Sequence, residues 1–245
     1  MDHLTETLLD NYHPNQTGQE LLEDTEVVLL VGITGAGKNT VLGEMLKTGE
    51  FHDLVTTVTR EPRYNDGVLE RDGVDYHFIT HDQALELLAA GEYVEVSSVH
   101  GRLYGVTASE VQRAHDTGKI ALADVDVQGV AKYRKVSDNV TVIFLVPPSY
   151  QEWRRRVQQR YPSEQEFLAD WPNRRSSAVE ELEKALASPY YHFVINEELT
   201  QAVGACIKIA RARRRDEIVR KDDEIRLRTR DLLDALMAEI ESEQL

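Results

Sequence analysis

Gly32-Ile33-Thr34-Gly35-Ala36-Gly37-Lys38-Asn39-Thr40 is the stretch of this chain whose composition best suits an anion. Its spacing follows the phosphate-loop pattern G-x-x-x-x-G-K-[ST]. Glycines let successive backbone N–H groups converge on one anion, and a following helix adds its positive dipole end. Lys38 would reach the β- and γ-phosphates of a nucleotide. The pattern departs at one position. Asn39 stands where a Ser or Thr hydroxyl normally meets Mg²⁺. An amide oxygen is a permissible ligand for a hard cation, but Mg²⁺ tolerates little distortion. Three readings stay open: Asn39 substitutes imperfectly, a water takes its place, or catalysis is impaired.

Other residue types could complete a phosphate-handling site. Arg60 and Arg63 stand three apart with Tyr76 downstream, and two guanidiniums with a phenol can grip a monophosphate. Taken alone, the pair also reads as an exposed charged turn beside Pro62. Asp124 and Asp126 lie two apart on an expected strand and should share a face. Acids there are costly unless paired, with a cation or with arginines. Arg156 and Arg160 stand four apart on one expected helical face, and Arg175 follows.

Positioning these groups requires strands that feed loops at one sheet edge. Val27–Val31, Ile120–Val127, Val140–Val146 and Phe193–Ile195 are short apolar runs that suit buried parallel strands. Helix-like spacing over Thr40–Lys47 and after the later strands implies an α/β fold, a parallel central sheet with flanking helices. Residues 53–105 read as a small mixed β region with turns at Asn65-Asp66-Gly67 and Asp72-Gly73. Residues 150–188 are helical and basic at the start, with Pro162 and Pro172 breaking the pattern. Residues 205–245 read as one long charged helix whose apolar positions Ile218, Ile225, Leu232, Leu236 and Ile240 step by seven or four.

Several blocks together resemble the guanylate kinase family: Thr56-Thr57-Val58-Thr59-Arg60-Glu61-Pro62-Arg63, Asp72 to Phe78, Glu92-Tyr93-Val94-Glu95, Gly101-Arg102-Leu103-Tyr104-Gly105 and Asp124-Val125-Asp126-Val127-Gln128-Gly129. The resemblance runs from about Val27 to Leu199. It implies a P-loop kinase that moves a phosphoryl group from ATP to GMP or dGMP with Mg²⁺, with a GMP-binding region at about 53–105 and a helical lid at about 154–176. By that resemblance, Gly32, Gly35, Ala36, Gly37, Lys38, Asn39 and Thr40 hold ATP, and Asn196 touches the adenine side. Arg60, Arg63, Tyr76 and Tyr104 hold the GMP phosphate. Thr56 contacts the guanine, and Glu95 reads it. Asp124 takes Mg²⁺ with Asn39, directly or through water, and Asp126 orders acceptor-site groups. Arg156, Arg160 and Arg175 close over the ATP phosphates. Val106 replaces the family's usual Ser or Thr, removing a base contact unless Thr107 compensates. The loop from Tyr64 to Arg71 is longer than usual. Two rival readings follow from these departures: a binding module that has lost catalysis, and a kinase for another phosphorylated acceptor.

Composition narrows the remaining possibilities. Lys+Arg number 28 against 43 Asp+Glu, a formal charge of −15, which opposes nonspecific binding to nucleic acid or anionic lipid. The single cysteine, Cys206, excludes a disulfide framework and reads as a core thiol. No apolar run approaches the roughly 20 residues a membrane span needs, so a soluble cytoplasmic protein is expected. The histidines show no metal spacing. The organisation expected is an acidic appendage at 1–26, docked or mobile, a kinase-like domain at 27–204, and the charged helix at 205–245. That helix should lay its apolar stripe on the core or on a second subunit, the latter giving a homo-oligomer. Residues 1–26 hold seven acids and no Lys or Arg; Pro14 and Gly18 should break any helix there.

Overall fold

The computed structural model describes residues 3–65, 67–214 and 223–242. In chain order the elements are α1 (His3–Asp10), α2 (Gln16–Asp24), β1 (Val27–Gly32), α3 (Lys38–Lys47), β2 (Phe51–Asp53), β3 (Thr57–Val58), β4 (Tyr64–Asn65), β5 (Val68–Leu69), β6 (His77–Phe78), α4 (His81–Ala89), β7 (Tyr93–Val99), β8 (Arg102–Thr107), α5 (Ala108–Thr117), β9 (Ile120–Asp124), α6 (Val127–Val136), β10 (Val140–Val146), α7 (Tyr150–Gln158), α8 (Glu164–Ala187), β11 (Tyr191–Ile195), α9 (Leu199–Arg214) and α10 (Asp223–Ser242). Five strands form a sheet in the order β11-β10-β1-β9-β2. β10 and β11 pair in parallel, as do β2 and β9. Every residue of β1 and β10 is buried, as an apolar strand covered on both faces requires.

The chain divides into two compact units. The first comprises Met1–Val27, Gly49–Ala123 and Gln128–Val140. Its four-stranded sheet runs β6-β3-β8-β7, and β7 and β8 are antiparallel around the two-residue turn His100-Gly101. Both turn residues have positive φ, which matches the turn to the twist of the strands. Short hydroxyl caps start the helices here: Thr80 forms a capping box with Gln83, and Thr107 caps α5. The acidic N-terminus belongs to this unit. Leu8, Leu9 and Tyr12 pack on Leu88, Tyr93 and Val96. The Tyr12 hydroxyl donates to the Tyr93 carbonyl at 2.6 Å and accepts from the Tyr93 N–H at 2.7 Å. Pro14 does separate two helices, but Gly18 does not break one: it lies inside α2, buried against Ala108.

The second unit comprises Val28–Thr48, Asp124–Val127 and Thr141–Leu245. Pro162 separates α7 from α8 as expected, whereas Pro172 sits inside a continuous α8. The reason is positional. Pro172 and Leu168, whose carbonyl loses its donor, are both exposed. Phe167, Trp171, Ala178, Leu182 and Ala185 bury the opposite stripe and hold the helix together. Of the long helix expected at 205–245, the described residues give α9, which begins before 205, and α10; residues 215–222 lie outside the described residues. Ile218 lies outside the described residues. α10 lays Leu232, Leu233 and Leu236 on its own chain, against α8, β11 and α7. Arg226 fastens it by donating to the Leu186 carbonyl at 2.8 Å with its guanidinium over the Phe193 ring. Cys206 is fully buried, and burial pushes its thiol up to about 12, as a core thiol should be.

Tyr12→Phe removes an acceptor from the Tyr93 amide and should cost about 1–3 kcal/mol of stability. Urea denaturation of the full chain checks this; an unchanged midpoint would mean the N-terminal segment adds nothing through that hydroxyl.

Candidate active site

The phosphate loop is built where β1 ends and α3 begins. Gly37 caps α3 with φ +93°, and a Cβ there would lie 2.3 Å from Asn196 Nδ2, so only glycine fits. Asn196 is buried at the end of β11, and its amide donates to the Ala36 carbonyl at 2.8 Å. Trp153 on α7 donates its indole N–H to the Thr34 carbonyl at 2.7 Å, and Val157 occupies the space a side chain at Gly35 would need. The loop is thus clamped from two sides.

Ile33, Thr34, Gly35, Gly37, Lys38, Asn39, Thr40, Arg156 and Arg160 line a cavity of about 340 Å³. Arg160 lies just beyond the end of α7 rather than within it. Gly32, Ala36 and Asn196 shape this cavity without lining it. Lys38 Nζ donates to the Gly32 carbonyl at 2.7 Å and lies 3.9 Å from Asp124 Oδ1. Glu152 accepts from Arg156 Nε at 2.7 Å and also grips Arg155; Arg155 first and then Arg156 lower its carboxyl to about 2.

Two of the expected positions are corrected. Asp126 is not on a strand beside Asp124. β9 ends at Asp124, and α6 starts at Val127, so Asp126 lies in the joining loop. Arg175 does not line the cavity. It is 4% exposed on the buried stripe of α8, with its guanidinium 5.8 Å from the Trp171 ring centre. Because α8 runs through Pro172, Arg175 falls one turn after Trp171 and shares its face. The neighbouring Arg174 donates to Tyr161 and Asp170 and is absent from the lining as well.

Asp124 keeps 39% of its side chain exposed, yet desolvation raises its carboxyl pKa; Lys38 and Arg160 oppose the rise, and Asp126 adds to it. Sequence reasoning missed Glu181 on α8. Burial pushes its carboxyl up to about 7, against the pull of Lys38 and with the like charges of Asp126 and Glu180 adding to it. Only the helix phase, one turn beyond Ala178, could have flagged that residue.

The expected acceptor residues lie in the first unit. Arg60 is 7% exposed and stacks on Tyr76, 4.8 Å from the ring centre, and the Tyr76 and Tyr104 rings meet edge-on at 6.3 Å. Both Arg60 Nη atoms donate to Glu70, one at 2.9 Å, and this pairing raises the guanidinium pKa above its ordinary value. Glu70 comes from the long loop and was not anticipated. Arg63 is exposed, and its backbone N–H donates to Glu70 at 2.8 Å. Thr56 is half-buried just before β3, where its carbonyl accepts from the His77 amide. Glu95 is 8% exposed on β7. Its cross-strand partner is Val106, and the Thr107 hydroxyl accepts from the Glu110 amide as the cap of α5. His52 and His77 turn their Nε2 atoms on buried Glu110, at 3.5 and 3.0 Å. Among the described residues no cluster of acids, histidines and cysteine could hold a metal alone, and no helix is long and apolar enough to cross a membrane.

A buried strand that feeds a glycine loop into a helix, with arginines over the same cavity, defines a P-loop protein of the phosphoryl-transferring kind. A family model described as guanylate kinase matches residues 24–212. A guanylate kinase of Thermotoga maritima is 34% identical over 203 residues, which span 82% of this chain and 92% of that one. One from Clostridium perfringens is 30% identical over 197 residues, 80% of this chain and 84% of the relative. The crystal structure of guanylate kinase from Anaplasma phagocytophilum superposes with a TM-score of 0.57 at 27% identity, covering 78% of this chain and 88% of that chain. The chain belongs to the guanylate kinase family.

Glu181 supplies a test of the site's electrostatics. A carboxyl raised from 4.5 to about 7 holds its proton more tightly when folded. Its contribution to stability is therefore present below its ordinary pKa and lost as pH rises through about 7. Glu181→Gln should flatten the fall in urea midpoint between pH 5 and pH 8; an unchanged slope would place the titration elsewhere.

Proposed function

We propose that this chain transfers the γ-phosphoryl group of ATP to GMP, and to dGMP, giving ADP and the nucleoside diphosphate. The observation that carries this reading is the clamped phosphate loop with Lys38, Arg156 and Arg160 on one cavity wall. The backbone amides of the loop and the α3 N-terminus take the polyphosphate, and Lys38 swings from the Gly32 carbonyl onto it. Arg156 and Arg160 neutralise charge that spreads over the transferring group. Arg60, Tyr76 and Tyr104, with Arg63 reaching from the surface, hold the acceptor phosphate. Glu95 selects guanine by accepting from its N1–H and N2 amino groups; adenine lacks the N1 proton and would leave the carboxylate desolvated and partly unpaired. No general base is needed, because the attacking oxygen belongs to a phosphate that is already ionised.

Mg²⁺ fits this donor set as an ion carried on the nucleotide. Mg²⁺ sites use one or two carboxylates with substrate phosphates and waters, and Asp124 and Asn39 offer one carboxylate and one amide beside the cavity. Those two residues would hold it, and when bound it supplies neutralisation of phosphate charge. Arg175 is read as part of the aromatic packing of α8, beside Trp171.

Two measurements test these assignments. A coupled assay with GMP, dGMP, AMP and ribose phosphates should show turnover with GMP and dGMP alone. Arg156→Ala and Arg160→Ala should each lower kcat about 100-fold, while Arg175→Lys should lower the unfolding midpoint and leave kcat near the parent value. Absence of turnover with every acceptor would leave a nucleotide-binding module instead. The second measurement addresses Asn39. Asn39→Ser should lower the Mg²⁺ concentration needed for half-maximal rate. An identical metal dependence would remove Asn39 from the metal's surroundings.

A further inference from the structure

Glu95 is more enclosed than a carboxylate ordinarily tolerates, and its cross-strand neighbour Val106 offers it no donor. The donors come from two other residues. Ser97 lies two positions further along β7, on the same face, and its hydroxyl donates to Glu95 Oε1 at 2.5 Å. Lys132, from α6, places Nζ 3.5 Å from the same oxygen. The direction of the chain of bonds is forced, because an ammonium only donates. Lys132 Nζ donates to the Val96 carbonyl at 2.5 Å and to Ser97 Oγ at 2.6 Å. The serine oxygen therefore accepts from the lysine, and its single proton is left for Glu95. Oε1 is fixed as an acceptor and tied to a cation. Tyr133, the next residue of α6, is fully buried; burial first, and the Glu95 charge second, hold its phenol well above the ordinary range. It adds no competing negative charge.

We infer that Lys132 and Ser97 are positioning residues for purine selection. They hold the Glu95 carboxylate in one orientation, so that it meets the adjacent N1–H and N2 amino donors of guanine. This inference rests on Glu95 reading the base. Neither residue touches the reacting phosphates, so their effect falls on acceptor binding and base discrimination, not on ATP.

The test compares Lys132→Met, Ser97→Ala, Lys132→Arg and Glu95→Gln in the full chain, with KM for GMP, KM for ATP, kcat, and the preference for GMP over IMP, which lacks the N2 amino group. The expected result is a rise of about tenfold or more in KM for GMP in Lys132→Met and Ser97→Ala, a narrowed GMP/IMP preference, an unchanged KM for ATP, and substantial recovery in Lys132→Arg. The Lys132 side chain is 38% exposed, so its loss should not empty the core; Ser97→Ala carries the test should Lys132→Met fail to fold. Unchanged GMP binding in both variants, with Glu95→Gln impaired, overturns the inference and leaves base reading by Glu95 standing. Equal losses for GMP and ATP also overturn it, by showing a general structural effect. If Glu95→Gln itself alters neither KM nor preference, the base-reading assignment fails first.

Discussion

Gathering positive charge for a phosphate before the phosphate arrives is the constraint this site answers. Cations brought close together repel, and loose ones cost entropy when substrate binding orders them. Each must be anchored by something that does not cancel it. Lys38 is anchored on a carbonyl, with Asp124 held off at 3.9 Å. Arg156 gives its Nε to Glu152, a carboxylate it shares with Arg155. Arg60 is the exception. In the first unit Glu70 takes both of its Nη atoms, so in the proposed role a phosphate would have to share or displace a carboxylate of similar geometry. Chain-wide charge is irrelevant at this scale: a formal −15 coexists with a cationic cavity because ions beyond a Debye length of about 8–10 Å are screened.

The arginines over the phosphate loop owe their place to packing as much as to charge. Trp153 is fully buried and hydrogen-bonds the loop backbone, and Val157 fills the space left by the missing side chain of Gly35. α7 is thus seated on the loop. Arg156 and Arg160 lie three residues beyond those two contacts, so the cavity side of α7 is set by its apolar side. Asn196 does the same from β11 by bracing Ala36. One N–H of its amide braces the loop, a role that the position's resemblance to an adenine contact did not suggest.

What the sequence made legible was whatever is local. The phosphate loop is read by contiguous backbone, so nine residues announced it. β10 matched its expected span, because a run of six apolar residues interrupted only by Thr141 allows little else. Misreadings arose where a distant contact decides. Asp126 was placed on a strand that ends two residues earlier. Arg175 was placed over the ATP phosphates by resemblance, and Pro172 was separately expected to break the helix that carries it. Once α8 is continuous, 167, 171, 175, 178 and 182 fall on one stripe, and the arginine is inside it. Glu70, Ser97 and Lys132 carried no signal of their own: Arg60 meets Glu70 across a loop, and Lys132 meets Glu95 from another element 37 positions later in the chain.

The acids beside the phosphate loop complete the electrostatic argument. Asp124 and Glu181 both hold protons more tightly than free carboxyls do, the mark of anions crowded into poorly solvated ground. A polyphosphate entering the same ground adds like charge and raises both further. Lys38 and Arg160 already face Asp124, and they cannot serve the carboxylate and the phosphates at full strength together. The proposed divalent cation would ease the conflict, because Asp124 and the phosphates would attract it together. The neutral amide of Asn39 fits that balance. In the proposed metal-holding role it would offer an oxygen without adding a further negative charge to a corner where two carboxylates are already held above their ordinary range.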